Sequence, residues 1–139
     1  MTQIRPGEHS STFAANPLAS AVAMAAIDVT ISENLSDRSR LLGKQLVKRL
    51  SSIRSPPMVT TKVTGKGLLC ALHIDESHSS GRITAERLSR LMRKRGVIVI
   101  SAENRLRTAP PLVISEEDLW KGVAILEESL NELVDLDEI

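Results

Sequence analysis

The run Gly65-Lys66-Gly67-Leu68-Leu69-Cys70-Ala71-Leu72-His73-Ile74 decides the fold class. From Leu68 to Ile74 every residue but His73 is apolar, and two glycines stand before the run. A short apolar run with that punctuation predicts a strand entered through a tight turn. On its far side, Asp75 to Gly81 is polar and predicts a loop. Ile83, Leu88, Leu91 and Met92 then mark a helix, and Gly96 stands where a helix C-cap favours glycine. Val97 to Ile100 is β-branched and predicts a second strand. Leu106 to Ala109 predicts a third, stopped by Pro110-Pro111. Ser115 is the candidate cap of a last helix, with Glu116, Glu117 and Asp118 in its positive first turn. Leu119, Val123, Leu126, Leu130 and Leu133 form its buried stripe.

Upstream of the run, Leu35, Leu42, Leu46, Leu50 and Ile53 lie on one face of a helix. Thr30 and Glu33 have capping-box spacing for its start, and Pro56-Pro57 ends it. Its other face carries Arg38, Arg40, Lys44, Lys48 and Arg49, which reads as a solvated surface in preference to a binding patch. Further back, Leu18, Val22, Ala25 and Val29 recur at helical spacing, with Pro17 at the start. This first helix is alanine-rich and follows a polar loop from Arg5 to Thr12, so a partner is expected to bury it. The order is two helices, strand, helix, two strands, helix. From about residue 30 on, that is an α+β domain with a short sheet and helices on one face.

Composition narrows the function. The 139 residues suffice for one domain with one core, and 42% apolar with 25% charged residues fits a globular chain. Phe13 and Trp120 are the only aromatics, so the core is aliphatic. Lys and Arg number 18 against 17 acidic residues, which gives no electrostatic case for nucleic acid or an anionic membrane. The single cysteine, Cys70, is compatible with a reducing compartment. No apolar run approaches the roughly 20 residues of a membrane helix. Met1 to Ser11 has neither a hydrophobic signal core nor the Arg-rich character of a mitochondrial presequence, so the cytoplasm is the expected location.

Taken one by one, the residues offer little chemistry. GxGxxG, P-loop, HExxH and CxxC patterns are all missing. Gly65-Lys66-Gly67 is too short for a phosphate loop and reads as a turn. His73, inside an apolar strand, reads as a satisfied histidine, and His78 as a loop residue without a role. Cys70, between Leu69 and Ala71, reads as an inert buried thiol. Ser10-Ser11-Thr12 sets hydroxyls and backbone N–H groups just before a helix, which suits a phosphate and a plain N-cap cluster equally. Arg107 on a strand has the geometry to grip a carboxylate with two parallel hydrogen bonds, though alone it reads better as a surface arginine.

Three strings go further together. Gly7-Glu8-His9-Ser10-Ser11-Thr12-Phe13-Ala14-Ala15-Asn16-Pro17-Leu18 resembles the GEHGSTYGGNPL segment of ornithine aminotransferases. Gly65-Lys66-Gly67-Leu68-Leu69 resembles the strand entry of their small domain, and Arg107-Thr108-Ala109-Pro110-Pro111-Leu112-Val113-Ile114 their RxAPPLVI segment. The matches fall in family order across essentially the whole chain. Phe13 replaces a tyrosine, Ala14-Ala15 two glycines, and Thr64 stands where the family often has arginine.

The resemblance implies the C-terminal small domain of a fold type I, class III transferase, a short antiparallel sheet covered by helices and preceded by a linker helix. Residues 1–32 would be the phosphate-loop and interdomain helix segment, and 33–139 the small domain. The cofactor implied is pyridoxal 5'-phosphate. The reaction implied moves the δ-amino group of ornithine to 2-oxoglutarate at a site on a dimer interface. Thr12, with Ser11 beside it, would reach the cofactor phosphate of the neighbouring subunit. Arg107 would contact the substrate carboxylate or pair with a glutamate of the large domain. The family's Schiff-base lysine lies in the large domain, and Lys44, Lys48, Lys62, Lys66, Lys94 and Lys121 do not fall in its motif. The partners implied are therefore a large-domain or full-length aminotransferase chain and an amino-acid substrate.

Three readings follow. The chain is one part of an ornithine aminotransferase completed by another chain, or a non-catalytic module that uses residues 12 to 30 to bind a full-length aminotransferase, or an inactive remnant. In each, the isolated chain is expected not to turn over ornithine.

Overall fold

The computed structural model describes residues 3, 5, 7–9, 11–14, 16–53, 59–77 and 82–135. The readings made for Ser10, Pro56-Pro57, His78 and Gly81 lie outside the described residues. The elements are α1 (Pro17–Ser32), α2 (Leu35–Ser51), β1 (Thr60–Lys66), β2 (Leu69–Ile74), α3 (Ala85–Lys94), β3 (Ile100–Ala102), β4 (Arg105–Thr108) and α4 (Glu116–Asp135). They fall into two compact units, Met1–Leu35 and Ser36–Ile139.

The second unit is built on an antiparallel sheet in the order β1-β2-β4-β3. Strand β2 alternates as a sheet with one wet face requires: Cys70, Leu72 and Ile74 are buried, while Leu69, Ala71 and His73 lie on the other side. Leu106 of β4 is paired with Leu72 and shares its buried face. Against that face the core gathers Leu42, Leu46 and Leu50 of α2, Leu88 and Met92 of α3, and Leu126 and Leu130 of α4. The α2 and α4 stripes read from the sequence are all buried, including Leu35, Ile53, Leu119, Val123 and Leu133. The core is aliphatic throughout.

Several boundaries differ from expectation. Strand β1 was not expected, because Thr60 to Lys66 carries little apolar signal. It is an edge strand, and with Val63 half-buried and its other described side chains polar it needs no apolar run. The predicted strand from Val97 to Ile100 is displaced to Ile100–Ala102. Residues 97–99 are neither helix nor strand, and Val97 is taken up by the C-cap of α3. Gly96, at φ 88°, donates its N–H to Arg93 O, and Val97 donates to Met92 O, the paired bonds of a Schellman C-cap. Strand β4 starts one residue earlier than predicted, at Arg105. Thr30 does not cap α2. It lies inside α1, and its hydroxyl donates back to Ala26 O at 2.7 Å.

Helix α2 and the β1–β2 hairpin meet at a close contact of two glycines and a serine. A Cβ on Gly43 would lie 2.1 Å from Gly67 O, and a Cβ on Gly67 would lie 2.5 Å from Ser39 Oγ. Gly67 also turns with φ at 58°, and the next residue, Leu68, donates its N–H to Ser39 Oγ at 3.1 Å. The turn read from Gly65-Lys66-Gly67 thus doubles as a seat for α2. Two of the α2 cations also act internally. Arg38 donates to the carbonyls of Leu112 and Ile114, and Arg49 pairs with Glu127 of α4.

Gly43→Ala is expected to destabilise the chain by about 2–3 kcal/mol, because the new methyl meets backbone. Gly122→Ala, where a Cβ meets nothing within 4 Å, is expected to stabilise it by about 0.5–1 kcal/mol through helix propensity. Urea melts of both variants check the pair; a neutral Gly43→Ala would remove the contact from the account.

Candidate functional site

In the first unit, the hydroxyls before α1 are not the helix cap. Asn16 is: its Oδ1 accepts from Leu18 N at 2.9 Å and Ala19 N at 3.3 Å. Ser11 closes a small turn, accepting from Phe13 N through Oγ and from Ala14 N through its carbonyl. Thr12 is exposed, and among the described residues its hydroxyl has no hydrogen-bond partner. The sequence left this cluster open between cap and phosphate contact. Asn16 takes the capping role, a signal legible in Asn16-Pro17 that was overlooked.

Helix α1 itself is apolar around its circumference. Leu18, Val22 and Val29 of the predicted stripe are exposed, and so are Met24, Ile27 and Ile31 off it, Leu18 at 74% and Ile31 at 72%. No described helix is by itself long and apolar enough to cross a membrane.

In the second unit, Arg107 sits on β4, an interior strand, between Ala71 of β2 and Ile100 of β3. The ladders on both sides fix its backbone. It is exposed on the open face of the sheet, and among the described residues no carboxylate pairs with it. The guanidinium is therefore available for a planar, bidentate anion such as a carboxylate.

One row further along the same face, His73 pairs in register with Lys62 and with Arg105. Thr64 Oγ1 lies 2.9 Å from His73 Nε2. Partial burial, then the charges of Lys62 and Arg105, hold the imidazole below its ordinary pKa. His73 is thus a satisfied histidine, but at a basic cross-strand row that the sequence reading missed. Cys70 is buried, its Sγ 3.3 Å from Gly67 O, and burial pushes its thiol up, away from the nucleophilic form. An apolar cavity of about 340 Å³ opens beside Pro110 and Pro111, with Asp118 its one charged lining residue; neither Thr12 nor Arg107 lines it.

Pyridoxal phosphate presents two ends to a protein, an anionic phosphate and an aldehyde that takes a lysine. An unpartnered threonine hydroxyl just before a helix start has the donor chemistry for the first. The second has no counterpart here: Lys44, Lys48, Lys62, Lys66, Lys94 and Lys121 are all exposed, and none lines the cavity. Among the described residues, no group of His, Cys, Asp and Glu is arranged to hold a metal ion.

The depressed His73 pKa has a thermodynamic consequence. The unfolded chain binds the proton more readily, so this contribution to stability is present above the ordinary histidine value of 6.5 and is lost as pH falls toward the folded value. His73→Gln is expected to flatten that part of the stability–pH profile, measured by urea melts between about pH 7.5 and 5. An unchanged profile would contradict the electrostatic account.

Comparisons with known proteins give the family. The family model for "Aminotransferase class-III" matches residues 1–130. Ornithine aminotransferase car2 of Schizosaccharomyces pombe is 44% identical over 138 residues, 99% of this chain and 31% of that protein. Ornithine aminotransferase of Bacillus cereus is 44% identical over 115 residues, 82% of this chain and 27% of that protein. Among solved structures, ornithine delta-aminotransferase of Plasmodium falciparum superposes with a TM-score of 0.80 at 30% identity, covering 97% of this chain and 34% of that one. Acetylornithine aminotransferase of Elizabethkingia anophelis superposes at 0.77 and 41% identity, covering 93% and 33%. The chain thus spans about 30% of the length of the curated relatives it matches. The sheet, the three motif strings and the helices up to residue 130 lie within the family match, and the chain belongs to the class-III aminotransferases, a family that uses pyridoxal phosphate.

Proposed function

We propose that this chain is the C-terminal portion of an ornithine aminotransferase, acting in the transfer of the δ-amino group of ornithine to a 2-oxo acid once a chain carrying the large domain completes the site. Arg107 carries the reading: it is a guanidinium fixed on an interior strand, exposed and free of any described carboxylate. In the assembled enzyme it binds the substrate carboxylate or a large-domain glutamate. Thr12, with Ser11 beside it, contacts the cofactor phosphate across the dimer interface, and the free Thr12 hydroxyl supports that role. Pyridoxal phosphate, when bound, supplies the electron sink for transamination. The covalent attachment point comes from the partner, since the lysines of this chain are all on its surface. Residues 1–32 then serve as the interdomain segment and 33–139 as the small domain, in the cytoplasm.

The exposed apolar circumference of α1 supports a second reading, a non-catalytic module that binds a full-length aminotransferase through residues 12 to 30. Ornithine and acetylated or related ω-amino acids are alternative substrates, as the two kinds of relative suggest.

The test mixes purified chain with a separately expressed large-domain segment, pyridoxal phosphate, ornithine and 2-oxoglutarate, and follows semialdehyde formation. Activity is expected only in the mixture. Arg107→Ala is expected to lower kcat/KM about 10- to 100-fold, the range of a lost charged hydrogen bond. Turnover by the chain alone, or no activity with both proteins folded, would reject the proposal, the second result in favour of the module.

A further inference from the structure

His73 stands at the centre of a row that crosses three strands. Lys62 of β1 and Arg105 of β4 are its register partners on the two sides. Side chains directly opposite in an antiparallel pair have Cβ atoms about 4.5–5.5 Å apart, and like charges there repel. One carboxylate offsets the row: Glu103, in the β3–β4 turn, pairs with Arg105. Among the described residues Lys62 has no acidic partner. Thr64 engages His73 Nε2 and leaves Nδ1 for another group. The row lies on the open face of the sheet, opposite the core.

We infer that Lys62, His73 and Arg105 form a binding site for a doubly charged oxyanion of the phosphate-monoester type on the open face of the sheet. The ladder holds the three residues at fixed backbone spacing, so binding has to order their side chains but not the strands that carry them. A dianion between them replaces like-charge repulsion with charge-assisted hydrogen bonds. A single carboxylate carries half that charge and fewer acceptor sites for three donors. Arg107 belongs to the neighbouring row, with Ala71 and Ile100, so the site uses other residues than the carboxylate contact proposed above.

Binding and protonation are linked at this site. Partial burial, then the charges of Lys62 and Arg105, disfavour the imidazolium when the row is empty. A bound dianion reverses the local sign, so His73 takes up a proton and affinity rises with acidity.

The experiment uses the 139-residue chain and follows the His73 imidazole by NMR, its resonance identified with His73→Gln. Phosphate is titrated at about pH 7.5, with acetate and chloride at matched ionic strength. Sulfate, doubly charged throughout, is titrated between about pH 8 and 6. Phosphate and sulfate are expected to give saturating shifts, with sulfate binding several-fold tighter at the lower pH. Lys62→Ala and Arg105→Gln should each weaken binding about fivefold or more, and His73→Gln should remove the pH dependence. Lys121→Ala, on α4, should change nothing. Lys62 is exposed, so its variant tests the site even if Arg105→Gln fails to fold. Shifts that grow linearly and alike with chloride, saturation by acetate as tight as by phosphate, or binding undiminished in Lys62→Ala would overturn the inference.

Discussion

The close approach of Gly43 to Gly67 is the constraint on which the second unit depends. Backbone lies against backbone there, with no room for even one methyl group. The contact sets how far α2 stands from the β1–β2 hairpin. Distance in turn decides whether Leu42, Leu46 and Leu50 reach the face formed by Cys70, Leu72 and Ile74. Ser39 strengthens the seat by accepting from Leu68 N, so the turn is held by a hydrogen bond as well as by shape. With aromatics almost absent, the core has no large plates to bridge gaps, and aliphatic side chains must interdigitate at close range.

Seating the helices on one face leaves the other bare. That face is an array of strands with fixed spacing, and its interior strands carry His73, Arg105 and Arg107. Groups on such strands are positioned by ladder hydrogen bonds on both sides, which suits them to meet ligands with defined geometry. The first unit has a different economy. Helix α1 is well capped by Asn16, yet hardly any of its apolar surface is buried. Its stability as a helix is local, without the hydrophobic gain that normally fixes a helix in a protein.

The sequence by itself determined the helices, the central strand and the family. The stripes of α2, α3 and α4 were legible because each buries one face against a single core, and a period of 3.6 survives in the residue order. Strand β2 was legible as a short apolar run after glycines. Residue type and place singled out Arg107 and the Ser11-Thr12 pair, but only the motif strings favoured a functional role for them, because one arginine or two hydroxyls carry no periodicity. Tertiary structure decided the rest. Strand β1 exists because β2 offers it an edge, not because Thr60 to Lys66 is apolar. Val97 lost its strand to the Schellman cap of α3, where backbone bonds outweighed β propensity, and the strand begins only at Ile100. The row of Lys62, His73 and Arg105 joins residues 11 and 32 positions apart in the chain, and only the register of β1, β2 and β4 brings them side by side.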